Sequence, residues 1–148
     1  MMVSLFRIML VIGGIILVII TGKPLVDKFS YKFSGFEVEG RIIGFRGSKS
    51  SKTIFQENTA KKTKGKRSRR PVFRYPIASE SLDSLDGFSQ SVSLLPWMNY
   101  ELNDKVEVVM DKNDPEKAHI FGIGLILTDI LMVLFSFFIV GLGLYRRK

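Results

Sequence analysis

Asp111, Asn113, Asp114 and Glu116 crowd four oxygen-bearing side chains into one short stretch, and oxygen donors of this kind are what a hard cation takes as ligands. Their spacing does not fit a calcium loop. A loop opening at Asp111 needs glycine at its sixth position and glutamate at its twelfth, and those positions hold Glu116 and Gly122. The cluster is therefore read as turn chemistry, in which Asp and Asn bond their own backbone and Pro115 stops a strand. His119, the only histidine, borders an apolar segment and is read as an interfacial residue rather than a base or ligand. Cysteine is missing altogether, which removes thiolate metal sites, disulfides and a cysteine nucleophile. With no Ser-His-Asp set, no phosphate-binding glycine loop and no metal-ligand spacing, the expectation is a non-enzyme without catalytic residues, metal or cofactor.

Two other sets of charges stand out. Asp129 lies inside a long apolar run, where a carboxylate is costly enough that pairing or function is the default expectation. Arg7 is its candidate partner in the other apolar run, with a neutral, protonated Asp129, a hydrogen bond to Thr128 or Ser136, or pairing across a homo-oligomer as alternatives. Helix packing is favoured over transport, because one carboxylate offers no relay. The second set is the stretch from Gly47 to Arg70, which holds nine Lys and Arg against Glu57 and so carries the whole net charge of +8. Lys61, Lys62, Lys64, Lys66, Arg67, Arg69 and Arg70 are its candidate anion-binding residues. Ile54, Phe55 and Ala60 are too little apolar surface to fold such a segment alone, so it reads as a flexible insertion. Nucleic acid is not an expected partner, since Phe55 is the only aromatic available for base stacking.

These residues are positioned by two apolar segments, Leu5 to Thr21 and Ile120 to Tyr145, each near or above the ~20 residues that cross a bilayer as a helix. The first is expected to be an uncleaved signal anchor, because no small-x-small cleavage site follows Ile20. The second, at ~39 Å for a helix, exceeds the hydrocarbon core and is expected to tilt. Arg146, Arg147 and Lys148 then read as a cytoplasmic stop-transfer cluster, which places the N-terminus inside and the middle of the chain outside. The expected organisation is a signal anchor over 1–22, a small extramembrane β domain over 23–119 with the basic insertion at 47–70, and a membrane helix with basic tail over 120–148.

Between the apolar segments the period changes to two. Phe36, Val38, Gly40 and Ile42 alternate with Glu37, Glu39 and Arg41; Phe73, Tyr75 and Ile77 with Val72, Arg74 and Pro76; Phe88, Val92 and Leu94 with Ser89, Ser91 and Ser93; and Val106, Val108 and Met110 with Lys105, Glu107 and Val109. Asp86-Gly87 is expected to turn between a strand at Pro71 to Ala78 and one at Phe88 to Leu95. Asn103, ahead of the Val106 strand, suits a left-handed turn position. The fold class expected is membrane α plus β: two transmembrane helices flanking a small antiparallel β-sheet or partly closed β-barrel.

The runs "RRPVFRYPI" and "YELNDKVEVVMDKNDPEKAHI", with the Asp-Gly pair and the apolar segment after them, resemble the bacterial domain-of-unknown-function family numbered three thousand five hundred and ninety-two. The resemblance covers Phe36 to Tyr145, with Asn103, Met110 and Lys112 departing from the family's usual glycine, tyrosine and proline. It implies a small β domain between two membrane helices and supplies no activity. The expected function is a non-enzymatic, multi-pass protein of the bacterial inner membrane whose domain works through protein or envelope contacts, with an immunity-type or accessory protein that binds a toxin as the concrete version. The alternative is a tethered binder of anionic lipid or envelope polymer. Its expected partners are the lipid bilayer, a protein or toxin, and further copies of itself.

Overall fold

The structure, a computed structural model, describes residues 2–56, 69–77, 83–94 and 96–145. The chain begins with helix α1, Met2–Ser34, which continues well past Thr21. Pro24 lies inside it and leaves the Ile20 carbonyl without its helical donor, a cost a long helix absorbs. Gly35 ends the helix, its N–H donating to the Tyr31 carbonyl at 2.9 Å, and a side chain there would collide with the Met110 carbonyl.

Five antiparallel strands follow: β1 Phe36–Arg46, β2 Arg70–Pro76, β3 Ser84–Phe88, β4 Lys105–Met110 and β5 Ala118–Ile120, in the spatial order β3-β2-β1-β4-β5. A register shift between Ile42 and Gly44 marks an irregularity in β1, the kind of local kink that sharpens twist. The sheet curls until its edge strands β3 and β5 approach, giving a half-barrel. Its inner face carries the alternating residues: Ile42, Phe73, Tyr75, Val106, Val108, Met110 and Ile120 are buried. Tyr100 and Leu125 close over that core. Helix α2, Ile123–Leu144, is the last element among the described residues.

Three expectations need correction. Asp86-Gly87 is not a turn; both residues lie within β3, opposite Arg74 and Phe73. Gly87 is required there because the Phe73 ring occupies the place of its side chain, a Cβ falling 2.6 Å from the ring. The pairing of β2 with β3 is antiparallel as expected, but its connection runs through 78–82, outside the described residues. Nor does a strand run from Phe88 to Leu95. After Phe88 the serines turn on themselves, Ser89 Oγ donating to the Ser91 carbonyl at 2.8 Å and accepting from the Ser91 N–H at 3.2 Å. Finally, Ile120 belongs to β5, so α2 starts at Ile123 and spans ~33 Å, close to the ~30 Å hydrocarbon thickness. The excess length expected of the second apolar segment is strand and linker.

By internal packing the chain forms two units, Asp27–Thr128 and the pair of segments Met1–Val26 and Asp129–Lys148. In the helical unit α1 and α2 run antiparallel, with Val11 near Gly143, Gly14 near Val140 and Thr21 near Ser136. In the β unit the end of α1 lies on the outer face of β4 and β5. Phe29 meets Phe121 edge-on at 5.7 Å, Tyr31 stacks on His119 at 5.7 Å, and Lys32 reaches Glu37 at 2.9 Å and Glu107 at 2.5 Å.

Candidate functional site

The outer face of the half-barrel is divided by charge, and the strand register sets the division. Along β1 and β4, Glu37, Glu39, Lys105 and Glu107 point outward around a groove of about 390 Å³. This half is largely neutralised. Lys105 pairs with Glu39 at 2.9 Å, and Lys32 answers Glu37 and Glu107 together.

Across β1 and β2 the charged outward residues are arginines, with Asp86 of β3 beside them. Arg41 pairs in register with Arg74, and Arg46 with Arg70. Asp86 answers one of them, its carboxylate accepting from Arg74 Nε at 2.7 Å and Nη2 at 3.0 Å. Those hydrogen bonds hold the Asp86 carboxyl below the ordinary carboxylate range. Arg46 lies 4.6 Å from the centre of the Phe88 ring, and Arg70 Nε donates to the Gln90 carbonyl at 3.1 Å. Arg46 Nε is buried without an acceptor among the described residues. Beside this region a groove of about 490 Å³ is lined by Arg74 and Asp86 together with Gln56, Asn103 and the apolar Ile43 and Ile54.

The basic insertion begins as a folded extension of the sheet. Phe45 and Phe55 exchange both backbone hydrogen bonds at 2.8 Å, so the chain returns along β1 before reaching residue 57. Arg69 sits 4.1 Å over the Phe55 ring on the inner side, where it lines a cavity of about 10 Å³ with Ser93, Asn99 and Tyr100. Lys61, Lys62, Lys64, Lys66 and Arg67 lie outside the described residues, as do Arg146, Arg147 and Lys148. Arg69 and Arg70 are therefore the two candidates whose surroundings can be stated, and they fall on opposite faces of the sheet.

Arg7 and Asp129 are not brought together. The Arg7 carbonyl abuts Gly143, and fourteen residues separate Gly143 from Asp129, ~21 Å along α2. Asp129 is buried, at 4 % exposure. Neither suggested hydroxyl bonds to it: Thr128 Oγ1 donates to the Gly124 carbonyl and accepts from the Leu94 N–H, while Ser136 Oγ donates to the Met132 carbonyl.

His119 is buried in β5 beneath α1, its Nε2 4.0 Å from Asp27 Oδ2. The acidic cluster forms a turn, Asp111 Oδ1 accepting from the Asn113 N–H at 2.9 Å and Asp114 pairing with Lys117 at 3.0 Å. Among the described residues no group of three or more His, Cys, Asp or Glu could hold a metal ion. Arg41 and Arg46 escaped sequence reasoning because the alternating strand pattern treats an outward arginine as ordinary surface. The available signal was Arg70 itself, once its cross-strand partner was known.

Comparison with known proteins adds nothing further: no family model, no curated protein and no solved structure matches the chain.

Proposed function

We propose that this chain is a membrane-anchored binding protein of the bacterial inner membrane, non-enzymatic, which presents a small half-barrel outside the cytoplasm to a protein or envelope partner. Among the described residues two helices are long and apolar enough to cross a membrane, Leu5–Ser34 and Ile123–Leu144. The observation that carries the reading is the exposure of their apolar side chains. Leu5, Ile19, Phe137 and Phe138 are each 56 % or more exposed, and burying such a surface in lipid is worth about 25 cal/mol per Å². Trp97, 77 % exposed beside the start of α2, suits a headgroup-level anchor. The resemblance of Tyr100 to Ile120 to the family named above belongs to the same reading.

Extraction of bacterial membranes with alkaline carbonate tests the anchoring. The full chain is expected to stay in the pellet and to enter solution with detergent; release by carbonate alone would overturn it.

A second reading, recognition of an anionic lipid or envelope polymer, is favoured by the arginines at the two folded ends of the insertion. In it the half-barrel presents the basic segment rather than binding through its own surface.

A further inference from the structure

We infer that Arg46 and Arg70 form a binding site for an oxyanion of the phosphate class on the outer face of the half-barrel. This rests on the anion-binding reading and moves its centre from the insertion to the folded sheet.

The two arginines are register partners on β1 and β2, and residues directly opposite on adjacent strands present their side chains to the same face. Like charges so placed repel each other unless a counter-charge joins them. Among the described residues none does. Arg74, two pleat repeats along β2 on the same face, shows the contrast, because Asp86 neutralises it through two hydrogen bonds. The contacts of Arg46 and Arg70 are with neutral groups, the Phe88 ring and the Gln90 carbonyl. Such contacts fix a guanidinium in place and leave its charge intact. Arg46 Nε is moreover buried with no acceptor among the described residues, so one donor of that guanidinium is unmet.

What results is a pair of half-buried cations, oriented in advance and given no counter-charge by the described residues. A planar guanidinium offers parallel N–H donors that match a tetrahedral oxyanion two at a time, and two of them together match a phosphate better than a monovalent spherical ion. Arg69 makes a useful negative comparison. It too is stacked and has a buried, unpartnered Nη1, but the ~10 Å³ cavity it lines has room for about one water and none for a phosphate.

The test uses the full chain purified in detergent and follows thermal unfolding in inorganic phosphate against chloride at matched ionic strength. Phosphate is expected to raise the melting temperature. Arg46→Gln and Arg70→Gln are each expected to weaken the half-saturating concentration about tenfold, the loss of one charge-assisted bidentate contact. Arg46→Lys, which keeps the charge but not the fork, is expected to weaken it nearly as much as Arg46→Gln, and Lys105→Gln not at all. Equal melting in phosphate and chloride in the unmodified chain would overturn the proposal without recourse to any variant. Deletion of 57–68 separates the two levels of the argument. A phosphate response that survives the deletion and weakens about tenfold with Arg46→Gln supports the pair, whereas one that vanishes with the deletion and is unchanged in both Gln variants overturns the pair and keeps the insertion reading. Reconstitution in phosphatidylglycerol or phosphatidylcholine nanodiscs identifies the source: a lipid headgroup pre-occupies the site and abolishes the response in phosphatidylglycerol only, and a free phosphate gives the same response in both.

Discussion

Tyr100 joins the core to the start of α2, and its ionisation gives the domain a pH limit. Burial, aided by the charge of Asp104, pushes its hydroxyl up to about 12 from the ordinary 10.0. A group whose value is raised on folding stabilises fully below the unfolded value and loses that stability as pH rises through the folded one. The window is therefore pH 10 to about 12. Thermal melts in detergent are expected to show a loss on the order of 1–2 kcal/mol between pH 9 and pH 11.5 that Tyr100→Phe reduces; an unchanged alkaline slope in Tyr100→Phe would refute it. Asp86 has the opposite sign, lowered by Arg74, so its contribution is lost as pH falls below the carboxylate range, and as an exposed pair it is worth at most about 1 kcal/mol. Asn103, with φ at 69°, occupies the left-handed region expected for it, because its short side chain tolerates that conformation better than a branched one. That position was legible from the residue alone. The role of Gly87 was not, since a glycine needed for close approach and one needed for a turn look the same until the Phe73 ring is in place.

At the scale of elements, the two glycines in the middle of α1 play different parts. A Cβ on Gly14 would stand 2.6 Å from Val140 Cγ2 and 3.1 Å from the Val140 nitrogen, whereas nothing lies within 4 Å of one on Gly13. Small residues at such contacts let two helices approach closely. Gly14→Val is expected to destabilise the antiparallel pair by about 1–3 kcal/mol, and Gly13→Val to change stability by less than ~0.5 kcal/mol. Detergent melting of the two variants checks this, and equal effects would contradict the packing. Thr21 and Ser136 add a hydroxyl contact at 3.3 Å while each also bonds its own helix, Thr21 to the Leu17 carbonyl at 2.8 Å. The strands at Phe36 and Val106 could be read from alternation because one face of each is buried. β5 could not, since three buried residues beside an apolar helix carry no period of their own.

At the scale of the molecule, the proposed anchoring makes the side of the membrane on which the half-barrel lies decide which partners reach it. The chain has no native thiols, so one introduced cysteine reports without background. Ser48→Cys and Ser84→Cys, both at exposed positions, are expected to react with a membrane-impermeant maleimide in cells with a permeabilised outer envelope and an intact inner membrane. Labelling only after the inner membrane is lysed would place the domain in the cytoplasm. What the sequence by itself determined is the set of elements whose signal is local: two apolar helices, an alternating sheet between them, and a net charge of +8 gathered at 47–70. Each follows from neighbours a few residues apart. The tertiary structure alone decided that β2 lies against β1 in the register that sets Arg46 opposite Arg70, that Arg7 of α1 lies beside Gly143, far along α2 from Asp129, and that the end of α1 covers His119. Those relations depend on strand order, helix register and packing between distant segments, and no spacing along the chain encodes them directly.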